Sequence, residues 1–337
     1  GLSNNTVRCI FRDHRGLVWF GTFDGLNRYN GYDFKIYRHR AGDSSSLVHN
    51  IIASITEDSL RNIWIGTRQG ISKLDPLTSR FTSVRWQGAP LRAVVKDIRA
   101  DRQNNIFIAT EGMGLMIVSN GTITARPVPL ITNTGTITQY VIRSVRIDEA
   151  GNAWALVHKY GIAFYNSRTQ QLKLVSTTMA DATTMELRGD HLWISSGSSV
   201  FLYRPSSGVT TMVADGRNML PSQGAINAFA IYAGNCFWIG TTTGKLYTWQ
   251  PGHASYDIPG GGKYEEMMTG GTIYAVYIDP QSRKRLGTAR GGVNIIDPQQ
   301  GHFLTLAHEP GVENSLVDNA VSAFYEAPGG KLFIGTD

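Results

Sequence analysis

Apolar and polar positions along this chain alternate with a period of two rather than recurring every three or four residues. Val7-Arg8-Cys9-Ile10-Phe11 leads into a turn at Asp13-His14-Arg15-Gly16, and then follow Leu17-Val18-Trp19-Phe20, Leu26-Asn27-Arg28-Tyr29 and Phe34-Lys35-Ile36-Tyr37. Short runs rich in β-branched and aromatic residues, separated by Gly, Asp and Asn, predict four antiparallel strands joined by hairpins. The same layout returns at Ile52-Ala53-Ser54-Ile55, Asn62-Ile63-Trp64-Ile65, Ile71-Ser72-Lys73-Leu74 and Phe81-Thr82-Ser83-Val84.

A marker recurs within this pattern: an apolar run ending in Gly-Thr or a worn form of it. The clearest copies are Trp19-Phe20-Gly21-Thr22, Trp64-Ile65-Gly66-Thr67, Trp238-Ile239-Gly240-Thr241 and Phe333-Ile334-Gly335-Thr336. Weaker ones begin at Phe107, Trp154, Trp193 and Arg285, which makes the successive separations 45, 43, 47, 39, 45, 47 and 48 residues. One four-stranded propeller blade takes about 40–50 residues. The predicted fold is therefore all-β: a seven-bladed β-propeller of four-stranded antiparallel blades over residues 1–317. Residues 318–337 would form a partial eighth repeat, read as the start of a second propeller, with strands that close the ring as the alternative.

Each part of the repeat has a physical reason. A lone four-stranded sheet leaves both faces wet, so the repeated Trp or Phe must pack against the next sheet until the ring closes. Small residues after the aromatic let neighbouring backbones approach, and the glycines at Gly25, Gly70, Gly114, Gly161, Gly244 and Gly292 suit turns of positive φ. Asp13, Asp58, Asp101, Asp148 and Asp279 open the first hairpin turn of their blades. There a short carboxylate accepts local N–H groups, and the structural reading is preferred to a calcium site.

Composition narrows the picture. With 42% hydrophobic residues, 17% charged residues and 37 glycines the chain fits a turn-rich β domain and not a disordered or coiled-coil one. A net charge of +6 admits an anionic partner, but Lys and Arg are scattered apart from Arg283-Lys284-Arg285. That run reads as a solvated hairpin tip, and no nucleic acid is expected. Cys9 and Cys236 fall in blades that are not neighbours, too far apart for a disulfide, and read as small buried thiols. No apolar run approaches the length of a membrane span.

The assembled consensus resembles the two-component regulator propeller repeat. Its copies are Leu2-Ser3-Asn4-Asn5 with Trp19 to Leu26 and Phe34 to Tyr37, Leu47-Val48-His49-Asn50 with Trp64 to Ile71, and Leu316-Val317-Asp318-Asn319 with Phe333 to Thr336. Repeats four and five depart from it at Leu156-Val157 and Ser195-Ser196. The resemblance implies the periplasmic sensor region of a hybrid two-component system of polysaccharide-degrading gut bacteria. It further implies an oligosaccharide ligand, a second propeller and a β-sandwich in the same polypeptide, a membrane span, a histidine kinase beyond it, and a homodimer. No cofactor is implied.

In such a ring the loops joining second to third strands, and those leading into each first strand, gather on one face, where binding residues concentrate. Asp24, Arg68, Glu111, His158, Lys159, Tyr160 and Arg290 occupy the first kind of loop; Asn5, His49, Tyr140 and Arg143 the second. Unlike the repeat core they differ from blade to blade. Asp24, His49, Arg68, Glu111, Arg143, His158, Lys159, Tyr160 and Arg290 are accordingly the candidate sugar-binding residues.

Catalytic motifs are missing from the sequence. Thr241-Thr242-Thr243-Gly244-Lys245 lacks the first glycine of a phosphate loop, His308-Glu309 lacks a second His, and Ser195 to Ser199 lacks the flanking glycines of a nucleophile elbow. The expected reading is a non-enzymatic sensor. Its rivals are a propeller-type polysaccharide lyase or glycosidase, with His158 and Tyr160 as an acid/base pair beside Arg68, and a protein-interaction scaffold.

Overall fold

The computed structural model describes residues 1–216, 224–232, 235–253, 256–259 and 268–297, and beyond them 311, 315, 317, 320–327 and 331–336. The elements assigned among them are all strands. The first blade is Val7–Arg12, Val18–Thr22, Gly25–Tyr29 and Phe34–Tyr37, paired antiparallel in chain order. Four more sheets repeat that order from the inner strands Ile52–Glu57, Val94–Ala100, Ile142–Ile147 and Thr184–Arg188. Two sheets with three described strands each follow, from Ile226–Tyr232 and Ile273–Ile278.

Each inner strand lies against the inner strands before and after it, and Ile273–Ile278 lies against Val7–Arg12. The seven sheets thus form the closed propeller that the spacing predicts. Residues 1–296 constitute this unit; residues 297–337 form a second one. Within the second unit Val321–Ala327 pairs with Lys331–Thr336 in the register of a blade's first two strands. The expected boundary at 317/318 falls beside residues outside the described set, as do His308 and Glu309.

The repeat marker works as a spacer between sheets. A Cβ added to Gly66 would lie 2.6 Å from Val95 Cγ1, and one on Gly240 would lie 2.4 Å from Ile273 Cγ2. In both cases the clash is with the first residues of the next inner strand. At Gly287 the neighbour is Val7, whose carbonyl would be 2.8 Å away, so the same device seals the seventh sheet to the first. The threonines fasten the following turn: Thr22 Oγ1 donates to the Gly25 carbonyl and Thr67 Oγ1 to that of Gly70, both at 2.8 Å. Gly70 itself has φ of 123° and faces the Leu91 carbonyl, where a side chain would be strained and would clash.

The aspartates act as expected. Asp13 accepts from the backbone N–H groups of Arg15 and Leu17, and its second oxygen accepts from Trp19 Nε1 at 2.9 Å. Asp58 holds Trp64 Nε1 at 2.8 Å. In the seventh blade Arg285 stands where the tryptophan would be, and its guanidinium donates to Asp279 at 2.7 Å. This corrects the reading of Arg283-Lys284-Arg285 as a solvated tip. Arg285 and Lys284 are buried within strand Lys284–Thr288, Arg283 also donates to Asp279, and the Lys284 ammonium lies 4.8 Å from the Trp238 ring centroid.

Two elements were not expected. A hairpin, Arg85–Trp86 with Ala89–Pro90, sits between the second and third blades. The fourth blade is widened to six strands, because Leu130–Thr132 runs parallel to its outer strand and folds back as Gly135–Ile137.

Both cysteines are free thiols, half-buried against hydrophobic clusters. Burial pushes the Cys9 thiol up to about 12. Since the thiolate is the reactive form, native protein treated with iodoacetamide near neutral pH should leave Cys9 unmodified, while urea-unfolded protein should be alkylated there. Peptide mass mapping reads the result, and rapid native labelling of Cys9 would contradict its placement.

Candidate functional site

Six inner strands share an irregularity near their start. Their register with the second strand slips between Val7 and Cys9, Ile52 and Ser54, Val95 and Asp97, Ile142 and Ser144, Ile226 and Ala228, and Ile273 and Ala275. A bulge leaves one residue out of the ladder and re-aims its side chain. The residues so placed are Arg8, Ala53, Lys96, Arg143, Asn227 and Tyr274, and all of them line a cavity of about 550 Å³ enclosed by the seven inner strands. Thr183, Thr184 and Glu186 line it in the fifth blade.

Deeper in the wall lies an ionic network that crosses blades. Asp97 accepts from Ser54 Oγ of the second blade at 3.0 Å, from Val145 N of the fourth at 3.2 Å, and from Arg146 Nη1 at 2.8 Å. Arg99 pairs with it at 3.2 Å. Arg146 then reaches the fifth blade, donating from Nε and Nη2 to the two carboxylate oxygens of Glu186 at 3.0 and 2.7 Å. Burial opposes ionisation of Asp97, but Arg99 and Arg146 outweigh it and hold the carboxyl below its ordinary value.

The loops assemble as the repeat geometry requires. Backbone N–H groups just after the Gly-Thr position bond to carbonyls leading into the same blade's inner strand: Phe23 to Thr6, Arg68 to Ile51, His158 to Val141, Thr242 to Ala225 and Ala289 to Thr272. Both sets of loops therefore share one face. A second cavity, of about 660 Å³, opens there among Thr6, Phe23, Thr242, Gly271, Tyr274 and Arg290.

The candidate residues divide into groups. Glu111, Arg143 and His158 line the axial cavity, and Arg290 lines the second one. Glu111 pairs with Lys96 at 2.6 Å, a hydrogen bond that pulls its carboxyl down. Arg143 Nη2 donates to His158 Nδ1 at 3.1 Å, which leaves that imidazole nitrogen unprotonated. Asp24, His49, Arg68, Lys159 and Tyr160 line neither cavity. Asp24 pairs with Arg38 at 3.0 Å, and His49 Nδ1 accepts from Ile51 N. Burial, then the charges of His39 and Arg68, lowers the His49 pKa.

Tyr160, partly buried, packs against the core shared by the third and fourth blades. Tyr140, expected in a loop on the face, is buried; its hydroxyl donates to the Val128 carbonyl and accepts from Leu115 N. Sequence reasoning missed Arg8, Lys96, Asn227 and Tyr274. Each follows the first one or two residues of its inner strand, but a bulge breaks the alternation that would have shown which way they point.

A closed seven-bladed ring with a polar axial cavity defines a β-propeller built from about 45-residue repeats. Residues 1–24 match the family model described as two component regulator propeller. A segment of 47 residues is 49% identical to histidine kinase P4 of Formosa agariphila, covering 14% of this chain and 3% of that protein. Among solved structures, the extracellular domain assigned to the hybrid two component system BT4673 of B. thetaiotaomicron superimposes with a TM-score of 0.71 at 22% identity, over 88% of this chain and 41% of that one. The corresponding domain of BT3049 gives 0.65 at 20% identity, over 100% of this chain and 46% of that one. These likenesses establish the fold. The chain spans less than half the length of the proteins it matches.

Proposed function

We propose that this propeller is a non-catalytic sensor module of a hybrid two-component system, placed outside the cytoplasm and, in a cell with two membranes, in the periplasm. Its input is an oligosaccharide released from a complex glycan. Its output is a change in a homodimer that a histidine kinase reads. The kinase, a second propeller and a β-sandwich belong to the remainder of the polypeptide, and the Val321–Thr336 hairpin opens the second propeller. The family model that residues 1–24 match and the origin of the solved relatives support this reading.

The observation that carries it is where the repeats stop repeating. Core positions recur from blade to blade, whereas the bulged positions Arg8, Ala53, Lys96, Arg143, Asn227 and Tyr274 place five different residue types around one cavity. A concave polar site with aromatic edges suits hydroxyl-rich ligands. Calorimetric titration with fragments of plant and host glycans tests it: one fragment class should bind with a stoichiometry of one per chain and raise the melting temperature. Absence of binding by every fragment, including in a protein extended through the second propeller and sandwich, would refute it.

A further inference from the structure

We propose that the axial cavity carries an anion subsite formed by Arg8 and Arg143, so that the ligand class is an acidic oligosaccharide bearing sulfate or carboxylate groups. This rests on the sugar-sensor reading and sharpens it. The lining of the cavity includes five permanent or near-permanent cations, Arg8, Lys96, Arg99, Arg143 and Arg146, and three carboxylates, Asp97, Glu111 and Glu186. Every carboxylate is already engaged: Asp97 by Arg99 and Arg146, Glu186 by Arg146, and Glu111 by Lys96. Two guanidiniums remain without a carboxylate among the described residues.

What holds these two arginines is chemically informative. Arg8 lies between two rings, 5.1 Å from the Tyr274 centroid and 5.8 Å from that of Phe23. Ring faces steady a guanidinium without using its N–H donors. Arg143 spends donors only on a neutral acceptor, His158 Nδ1, at 3.3 and 3.1 Å. Each is pre-positioned, keeps its full charge and presents a donor fork matched to a carboxylate or sulfate. Both sit at bulges, in the first and fourth blades.

The position of Arg8 also links the two cavities. Its flanking rings, Phe23 and Tyr274, are lining residues of the second cavity, where Arg290 is held by a hydrogen bond from its backbone N–H to Thr6 Oγ1 at 3.2 Å. A chain of sugars whose acidic group meets Arg8 would therefore extend over Tyr274 and Phe23 toward Arg290. The threonine hydroxyls of Thr6 and Thr242 lie along that path.

The test is calorimetry on the 337-residue chain with four probes: a sulfated glycosaminoglycan tetrasaccharide, tetragalacturonate, neutral xylotetraose and inorganic sulfate. Wild type should bind at least one acidic tetrasaccharide, and Arg8→Gln and Arg143→Gln should each weaken it roughly tenfold or more, with Arg8→Lys and Arg143→Lys intermediate. The two acidic probes distinguish sulfate from carboxylate recognition. Unchanged melting temperatures in the variants establish that a loss is not unfolding. Acidic binding insensitive to both substitutions, or tighter binding of the neutral probe, overturns the anion subsite while leaving the sugar-sensor reading intact. Binding of inorganic sulfate that depends on Arg8 and Arg143, without binding of either acidic tetrasaccharide, keeps an anion site but overturns its assignment to an acidic oligosaccharide. Silence from all four probes overturns the anion subsite, while the sugar-sensor reading is decided by the titrations with the extended protein.

Discussion

A protein carrying Gly66→Val is expected to lose about 3 kcal/mol of stability or more, the upper range for overpacking a filled interface. The added carbons have nowhere to go. The first of them would fall 2.6 Å from Val95 Cγ1 and 3.3 Å from Ile98 Cγ2, both part of the neighbouring inner strand and both buried. Relief requires the second and third blades to separate, and in a closed ring that displacement is passed to every other seam. The third blade supplies an internal comparison, since Ala109 occupies the matching position and is fully buried there. Gly66→Ala should therefore cost clearly less than Gly66→Val. Urea unfolding followed by tryptophan fluorescence reads both variants; near-identical midpoints for wild type and the valine variant would show that the seam is not packed as described.

The second large effect is expected from Asp97→Asn. Removing one partner of a buried ion pair costs about 3–5 kcal/mol, because the charge left behind is neither solvated nor compensated. Here the loss falls on Arg99 and on one side of Arg146, and it weakens the Ser54 and Val145 hydrogen bonds that tie three blades together. The pH dependence follows from the depressed carboxyl. Burial alone would raise its pKa; Arg99, Arg146 and the accepted hydrogen bonds bring the folded value below the ordinary 3.8. A group depressed in the folded state contributes fully above its unfolded pKa and loses that contribution as the pH falls through the folded one. Wild type should therefore lose stability on acidification below about pH 4, and Asp97→Asn should show a shallower loss over the same window. Thermal melts from neutral pH downward measure this, and parallel acid profiles for the two proteins would remove Asp97 from its assigned place.

Much of the fold was legible because its determinants are local and repeat. Trp19, Trp64 and Trp238 precede Gly-Thr at matching spacings, and each repeat contains its own hairpin turns, so period and strand boundaries reinforce one another. Phe34–Tyr37 is a strand with the bounds that alternation predicts. The aspartates were equally readable, since a carboxylate at a hairpin turn has donors within a few residues. What could not be read depends on partners far along the chain. Asp97 and Glu186 owe their roles to Arg146, which belongs to another blade from either. Leu130–Thr132 was invisible as a strand because its partner is the outer edge of the fourth blade and not a neighbouring hairpin.

The candidate site was read less completely, for one geometric reason. Loop positions were chosen by their place between the Gly-Thr marker and the turn glycine, which brought in Glu111, His158 and Arg290 along with Asp24, Arg68, Lys159 and Tyr160, which line neither cavity. The bulged residues supply one lining side chain from each of six blades, and the bulge hides them: Arg8 sits between Val7 and Cys9 as one more member of an alternating run. Arg285 shows the converse. Its charge suggested solvent, yet the Asp279 carboxylate satisfies it inside the blade, where other repeats place an indole N–H.

The most direct test of the account is an experimental density map of the chain, crystallised with the acidic tetrasaccharide that binds best. The predicted result is seven sheets around an axial cavity, with Val7 packed on Gly287 at the closing seam and the ligand's acidic group within hydrogen-bonding distance of Arg8 or Arg143. A gap between the first and seventh sheets, or a ligand seated away from the bulged residues of the inner strands, would contradict it.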